Sequence, residues 1–254
     1  MTILLTITAL LTATLSAILG MGGGILLLAT MFCFLPFSQA IPLHAAVQLV
    51  SNGSRIILFR QAADWPTVGR FILGVLPGVA LAGLLLWSLG RLGRAEPYFK
   101  VLIGVYILVA TFLPRPQAAH RRGGRRGFTL LGMAAGTAAL TVGSIGPLIA
   151  PMFARRGFVK ERLIATKAAC QMLTHVFKIV AFWSLGTIDF GRFALLLTAM
   201  AAAAVVGTIL GRRILRHVSR RAFVVLYRFA LATAGLKVLL IDGILKLIQT
   251  VTAS

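Results

Sequence analysis

Acidic residues are almost missing from this chain of 254 residues, which has five Asp and Glu against 26 Lys and Arg. None of the five lies clearly in the middle of an apolar run: they are Asp64, Glu96, Glu161, Asp189 and Asp242. A carboxylate proton relay or a carboxylate-based cation site within a membrane is therefore not expected. If the protein moves protons, His175 is the best candidate to carry them, because a histidine can change its charge near neutral pH.

Cysteine is also scarce. The two cysteines, Cys33 and Cys170, both lie in apolar runs, so we expect neither a disulfide framework nor a metal site and interpret both as small core residues. No pattern indicates a cofactor. The first nineteen residues contain no Lys or Arg, so they lack the positive region of a signal peptide and are interpreted as mature structure.

Hydrophobic residues make up most of what remains. They account for 59% of the chain, charged residues for 12%, and the mean hydropathy is +0.95. Apolar runs longer than about 18 residues recur, and each is long enough to cross a bilayer as a helix. They do not alternate as the strands of a membrane barrel would. The sequence therefore predicts an all-α polytopic integral membrane protein in contact with the lipid bilayer.

The basic residues lie in short blocks between the apolar runs, at 115–126, 155–162 and 212–221. Such blocks are typical of the cytoplasmic loops of membrane proteins. The net charge of +21 therefore indicates membrane topology, and no nucleic-acid partner is expected.

The chain divides into two similar halves. We predict a first transmembrane repeat over residues 1–113, a basic cytoplasmic linker over 114–127 and a second transmembrane repeat over 128–254. Each half opens with an apolar run broken by glycines and continues with a helix that carries polar residues. Five positions repeat at an offset of 123: His44, Gln48, Ser51, Asn52 and Arg55 against Lys167, Gln171, Thr174, His175 and Lys178. This order of matches predicts an internal duplication.

The opening run of the first half is too long for one span. As a single helix, residues 2–35 would measure about 51 Å, whereas the apolar core of a bilayer measures about 30 Å. The glycines of Gly20-Met21-Gly22-Gly23-Gly24 would let the run turn back inside the membrane. Residues 143–147 predict a similar turn in the second half, where Pro147 suits the first turn of the returning helix. We expect two re-entrant hairpins.

The basic residues favour this topology. With two hairpins, most Lys and Arg outside the spans fall on one side of the membrane, and this excess nearly disappears if both runs span. The loop from Arg91 to Lys100 falls on the wrong side. About three full spans remain in each half, and an odd number gives the two halves opposite orientations. Inverted repeats with broken helices are a recurring plan of transporters, with the site near the membrane centre.

Broken helices direct N–H groups and positive dipole ends towards that centre, which favours an anion. We predict that the substrate contacts Gly22, Gly23 and Gly24 at the first break, and Ser144 and Gly146 at the second. A small-residue packing motif is the alternative interpretation of the glycines.

The two polar helices supply side-chain donors. His44, Gln48, Ser51 and Arg55 recur at steps of four, three and four, so they share one helix face. Polar groups within a span normally face the bundle interior or a cavity. The predicted substrate contacts on these helices are Gln48, Ser51, Asn52, Arg55, Gln171, Thr174, His175 and Lys178. The alternatives are hydrogen bonds between helices and, for Arg55 and Lys167, extension to the cytoplasmic surface.

These motifs carry a family resemblance. The glycine-rich break at 20–24, Pro36, the helix with Ala45-Ala46 that continues to Asn52 and Arg55, the second break from Gly143 to Pro151 and the basic linker resemble the TauE/SafE family, also called toluene sulfonate uptake permeases or sulfite exporters. The resemblance covers essentially the whole chain. The second break departs from the glycine-rich form, because Ser144, Ile145 and Pro147 replace glycines.

The resemblance implies transport of sulfite, a sulfonate or a related small sulfur anion across the bacterial cytoplasmic (inner) membrane, by uptake or export. The residues alone indicate a small anion, whose export would gain about 2.3 kcal/mol per charge for each 100 mV of potential. We expect no enzymatic activity. An anion channel remains an alternative, as does an intramembrane serine protease with Ser144 and His175 in hydrogen-bond reach. The sequence leaves open whether the protein forms a homodimer.

Overall fold

The computed structural model describes residues 1–19, 23–90, 96–112, 126–155, 158, 160–186, 188–214, 228–229 and 231–252. Throughout these ranges the regular secondary structure is helical, with no β-strand, as the sequence predicts. The predicted linker over 114–127 lies outside the described residues except for Arg126 and Gly127, at which a helix begins.

Ten helical segments are used below. Those of the first half are α1 (Thr2–Leu19), α2 (Gly23–Phe32), α3 (Phe37–Phe59), α4 (Trp65–Gly90) and α5 (Glu96–Phe112). Those of the second half are α6 (Arg126–Thr141), α7 (Gly146–Arg155), α8 (Lys160–Ser184), α9 (Ala194–Ile214) and α10 (residues 231–252, with a π-helical stretch over Lys237–Leu245).

Both opening runs are broken into two helices. In the first half, α1 ends at Leu19 and α2 begins at Gly23; residues 20–22 between them lie outside the described residues. In the second half, Pro147 is the second residue of α7, where its missing N–H leaves no hydrogen bond unmade. Gly143 lies in this break with φ +84°, a conformation that glycine adopts at little cost. A Cβ at Gly143 would also crowd Leu28 of α2.

Three helical segments in the described residues are long and apolar enough to cross a membrane: Trp65–Ser88, Glu161–Ser184 and Gly191–Gly211. Shorter apolar helices accompany them, namely Thr2–Ala17, Gly23–Phe32 and Gly127–Thr141. The sequence predicts about three full spans in each half. Helix α3 has 23 residues, enough to span, but its polar residues lower its hydropathy. With large apolar side chains exposed along these helices, the chain is a multi-pass membrane protein.

The helices pack in pairs that correspond between the halves. Helix α1 packs against α9 and α2, while α6 packs against α4 and α7. Helix α3 packs against α8, α9 and α2, while α8 packs against α3, α4 and α7. Helix α5 packs mainly against α10. Exchanging each helix of α1–α5 for its counterpart in α6–α10 therefore carries the principal pairs onto one another.

The broken helices are held closely by long unbroken ones. Glycines spaced by four residues lie on α4, at Gly74 and Gly78, and on α6, at Gly132 and Gly136. A Cβ at any of the four would collide with the backbone of the opposite helix. Such spacing lets helices in a membrane approach at backbone contact. At the corresponding crossing, Gly207 and Gly211 of α9 face the backbone of α1.

We predict that Gly74→Ala weakens the fold, because the new Cβ meets the Thr129 carbonyl of α6 and the two helices must separate. A loss of about 1–3 kcal/mol is expected, seen as a lower midpoint of thermal unfolding of the purified protein in detergent. The control is Gly69→Ala in the same helix, because a Cβ there has no heavy atom within 4 Å. Equal midpoints for the two variants would contradict the close crossing.

The start of α4 is fixed to the start of α8 through Asp64. Its carboxylate caps α4 by accepting the Thr67 amide at 3.0 Å and forms an ion pair with Arg162. Its own amide donates to the Thr166 hydroxyl at 2.9 Å. Burial alone would raise the pKa of Asp64, but the Arg162 guanidinium and the Thr67 hydrogen bonds lower it below its ordinary value. The carboxylate therefore stabilises the fold in its ionised form.

We predict that Asp64→Asn lowers the unfolding midpoint at neutral pH, because asparagine still caps the helix but does not pair with Arg162. The Arg162 side chain is 58% exposed, so the loss should be about 1 kcal/mol or less. The pKa of Asp64 is lower in the folded protein than in the unfolded chain. Its charge therefore contributes fully to the free energy of unfolding above the unfolded pKa of about 3.9, and this contribution is lost as the pH falls through the folded pKa.

Unfolding midpoints measured from pH 7 to 3 should therefore converge for the native protein and Asp64→Asn at the acid end. Asp189→Asn is the control, since the Asp189 carboxylate accepts the Gly191 amide and forms none of the ion pairs found in the described part of the chain. A constant difference between the native protein and Asp64→Asn at every pH would contradict a role for the charge.

Candidate functional site

The two polar helices, α3 and α8, cross in opposite directions at the centre of the protein. Near the start of α3, His44 lies beside Lys178 of α8, and further along Gly53 faces Met172. Arg55, near the end of α3, meets Lys167, near the start of α8, in one cavity wall. The mid-helix glutamines Gln48 and Gln171 lie between these two ends and line the same cavity.

This central cavity combines both breaks with both polar helices. Its lining is Ser16, Gly24, Ile25, Gln48, Arg55, Ser144, Gly146, Pro147, Lys167 and Gln171. Six of these residues are predicted from the sequence as substrate contacts: Gly24, Gln48, Arg55, Ser144, Gly146 and Gln171. Each half therefore contributes a helix break and a glutamine to the cavity.

Two short helices begin at the cavity. Gly24 and Ile25 belong to the first turn of α2, and Gly146 and Pro147 to the first turn of α7. The first turn of a helix presents N–H groups without partners in the helix and the positive end of its dipole. Two such ends at one cavity make it favourable for negative charge.

Glycine at these two turns keeps the glutamines close to the backbone. A Cβ at Gly24 would lie 3.4 Å from Cδ of Gln48, and a Cβ at Gly146 would lie 3.5 Å from Nε2 of Gln171. Any larger side chain would enter the space between glutamine and helix. The two halves thus repeat one local arrangement, a glycine at a helix start beside a glutamine amide.

Arg55 places a buried guanidinium in the cavity wall. It donates to the Ser51 hydroxyl at 2.7 Å and to Oδ1 of Asn52 at 3.1 Å, and its Nε has no partner in the described part of the chain. The residue is 4% exposed, so its side chain does not reach the protein surface. Neutral oxygen atoms of Ser51 and Asn52 therefore orient the guanidinium. These two contacts do not compensate its positive charge.

The opposite end of the crossing carries Lys178. Its ammonium donates to the Gly143 carbonyl at 2.9 Å and lies 3.4 Å from Nδ1 of His44. The other ring nitrogen of His44, Nε2, is 2.8 Å from the Gly24 carbonyl, to which it can only donate. Nδ1 of His44 is then the acceptor for Lys178. This end contacts neutral acceptors and is not part of the cavity lining.

Gly23, Thr174 and His175, which are also predicted contacts, are not among the described residues that line the cavity. Gly23 donates its amide to the Ser16 hydroxyl at 3.1 Å, beside the lining. The Thr174 hydroxyl donates to the Cys170 carbonyl of its own helix at 2.7 Å. His175 packs edge-on against His44 with ring centroids 5.7 Å apart, and its Nδ1 has no partner among the described residues. Gly22 lies outside the described residues.

Four lining residues are not among the predicted contacts. Lys167 belongs to the repeated polar pattern, so the sequence carries a signal for it. Pro147 was identified for its position in the helix start. Ser16 and Ile25 are ordinary residues of apolar helices, and no pattern in the sequence distinguishes them.

None of the described residues that line the cavity carries a carboxylate. The ion pairs within the described ranges join Arg162 to Asp64, Lys100 to Glu96 and Lys237 to Asp242, at other places in the fold. Nor does any group of three His, Cys, Asp or Glu in those ranges lie close enough to hold a metal ion. The site is cationic, with amide and hydroxyl groups between its charges.

Comparison with known families gives a match over nearly the whole chain. The family model described as Sulfite exporter TauE/SafE matches residues 5–238. No curated protein and no solved structure matches the chain.

Proposed function

The chain belongs to the TauE/SafE family, whose members are membrane transporters and not enzymes, and on this basis we propose that it moves a small sulfur-containing anion through the central cavity. The substrate is sulfite, a sulfonate or a related organosulfur anion. Transport proceeds by alternating access at one binding site between the two repeats. The family membership also removes the serine protease from the alternatives.

One observation carries this proposal. The cavity contains two buried cations, Arg55 and Lys167, two glutamine amides and two helix N-termini, and no carboxylate. Charge-assisted hydrogen bonds are stronger than neutral ones, and an oxyanion can accept from donors of each of these kinds. A neutral or cationic substrate would form no ion pair with these side chains. A small oxyanion is therefore the ligand that this site favours.

The arrangement of the helices supports an inverted duplication. The principal helix pairs map onto one another when α1–α5 are exchanged for α6–α10, and α3 crosses α8 in opposite directions. Residues 1–113 and 128–254 are then the two repeats, related by a pseudo-twofold axis through the α3–α8 crossing. Transporters of this plan bind substrate near the membrane centre, between the repeats.

We further propose that α1 with α2, and α6 with α7, are the re-entrant hairpins. Helices α2 and α7 have ten residues each, or about 15 Å, which is half the apolar thickness of a bilayer. Their starts would then lie at the membrane centre, beside the two glutamines.

Orientation follows from charge. Arg60, Arg70 and Arg162 fall on the side of the Arg55–Lys167 end, which we assign, together with the linker predicted from the sequence, to the cytoplasm of a bacterial inner membrane. The cavity then lies on the cytoplasmic side of the α3–α8 crossing. Export of an anion from a negative interior would gain about 2.3 kcal/mol per charge for each 100 mV.

We predict that Gln48→Ala and Gln171→Ala each reduce substrate flux at least tenfold, because each removes an amide donor worth about 1.5–3 kcal/mol to a charged ligand. The measurement is uptake of labelled sulfite, and separately of taurine or sulfoacetate, into proteoliposomes with a clamped potential. Flux of the native protein should saturate, respond to the potential and show counterflow.

Gln61→Ala is the matched control, since Gln61 is exposed on the turn after α3 and lies outside the cavity. A folded protein that moves no sulfur anion would overturn the substrate. Flux that neither saturates nor shows counterflow would indicate an anion channel. Flux unchanged in both glutamine variants would place the pathway elsewhere.

A further inference from the structure

The two ends of the α3–α8 crossing occupy corresponding positions in the sequence but differ in structure. At the offset of 123, Arg55 corresponds to Lys178, and His44 to Lys167. Arg55 and Lys167 line the cavity, and the Arg55 guanidinium donates to Ser51 and Asn52 of its own helix. Lys178 instead reaches across to the Gly143 carbonyl in the α6–α7 break, and His44 reaches to the Gly24 carbonyl in α2.

Together these contacts form one continuous chain between the two helix breaks. It runs from the Gly24 carbonyl through both ring nitrogens of His44 to the Lys178 ammonium and on to the Gly143 carbonyl, with distances of 2.8, 3.4 and 2.9 Å. His44, Lys178 and Gly143 are buried, and Gly24 is partly buried. These hydrogen bonds therefore connect the first half to the second at the Lys178 end of the crossing.

We infer that this His44–Lys178 chain is the closed gate of the transport pathway, and that the arriving anion opens it by taking the Lys178 ammonium from the Gly143 carbonyl. This inference rests on the proposed alternating access. In the opposite state, Lys178 faces the substrate as Arg55 does here, and the closing contacts form at the Arg55–Lys167 end.

Charge makes the exchange favourable. The partners of Lys178 among the described residues are a carbonyl oxygen and a neutral imidazole nitrogen, so these contacts solvate its charge with dipoles. An oxyanion forms a charge-assisted hydrogen bond that is stronger than either. A ligand that binds one state better than the other shifts the equilibrium towards that state, and here the anion favours release of Lys178.

The test measures access to the cavity from each side of the membrane. In a background with Cys33→Ala and Cys170→Ala, the reporter Ser144→Cys lies in the cavity wall next to Gly143. A membrane-impermeant thiol reagent is applied to vesicles of known orientation. With the gate intact, we expect labelling from the Arg55 side to exceed labelling from the Lys178 side.

Lys178→Met should raise the labelling rate from the Lys178 side about tenfold or more, the effect expected from losing hydrogen bonds to a charged group. His44→Phe should do the same, because it keeps a ring but removes both hydrogen bonds of the histidine. The two variants remove different residues of the hydrogen-bonded His44–Lys178 chain. If one variant does not fold, the other still tests the gate. Sulfoacetate, which unlike sulfite does not react with the thiol reagent, should accelerate labelling from this side in the parent and not in Lys178→Met.

Lys100→Met is the matched control, because Lys100 is also a buried lysine but pairs with Glu96 on α5, away from the chain. Its labelling should equal that of the parent. Equal labelling of the parent from both sides, or unchanged labelling in folded Lys178→Met or His44→Phe, would overturn the gate. Labelling needs no sulfur anion, so absent sulfite flux with a normal labelling shift would refute the proposed substrate and leave the gate standing.

Discussion

A helix broken inside a membrane must have its free backbone groups satisfied by protein, because lipid offers no hydrogen bonds. The rest of this structure depends on that constraint. The amide of Gly23 donates to Ser16, the Gly24 carbonyl accepts from His44, and the Gly143 carbonyl accepts from Lys178. Polar residues on α3 and α8 are therefore required wherever the breaks meet. The same groups that satisfy the breaks also surround a cavity that favours an anion.

The breaks must also be held in place by something rigid. Helices α1 and α6, which precede the breaks, pack against the long helices α9 and α4 at glycine-spaced crossings. Backbone contact at these crossings gives van der Waals packing where no hydrophobic effect operates between helices in lipid. These crossings join the two halves, since α1 and α4 belong to the first half and α9 and α6 to the second. The movement that we propose therefore keeps each of these pairs together and exchanges the polar contacts of the α3–α8 crossing.

Much of the site could be predicted from the sequence because a duplication leaves a periodic signal. Polar residues within apolar runs are costly and therefore informative, and their recurrence at one offset identified α3 and α8 and the two glutamines that line the cavity. Ser16 could not be found in this way, because a serine in an apolar helix carries no spacing signal. Among the described residues, length and hydropathy recognise three spans, against about three predicted in each half. Helix α3 is not recognised because the polar residues that build the site lower its hydropathy, and α5 has only 17 residues.

The difference between the two ends of the crossing could not be predicted, because the sequences that correspond are nearly equivalent. Asymmetry is a property of the conformation. Arg55 and Lys167 lie in a cavity, whereas Lys178, the counterpart of Arg55, donates a hydrogen bond to a backbone carbonyl. A transporter with one site and two related halves must be asymmetric in each of its end states, since a symmetric arrangement would open both ends or neither. The free-energy difference between these states must be small enough for the binding of one anion to reverse it. The neutral partners of Lys178 make such a small difference possible.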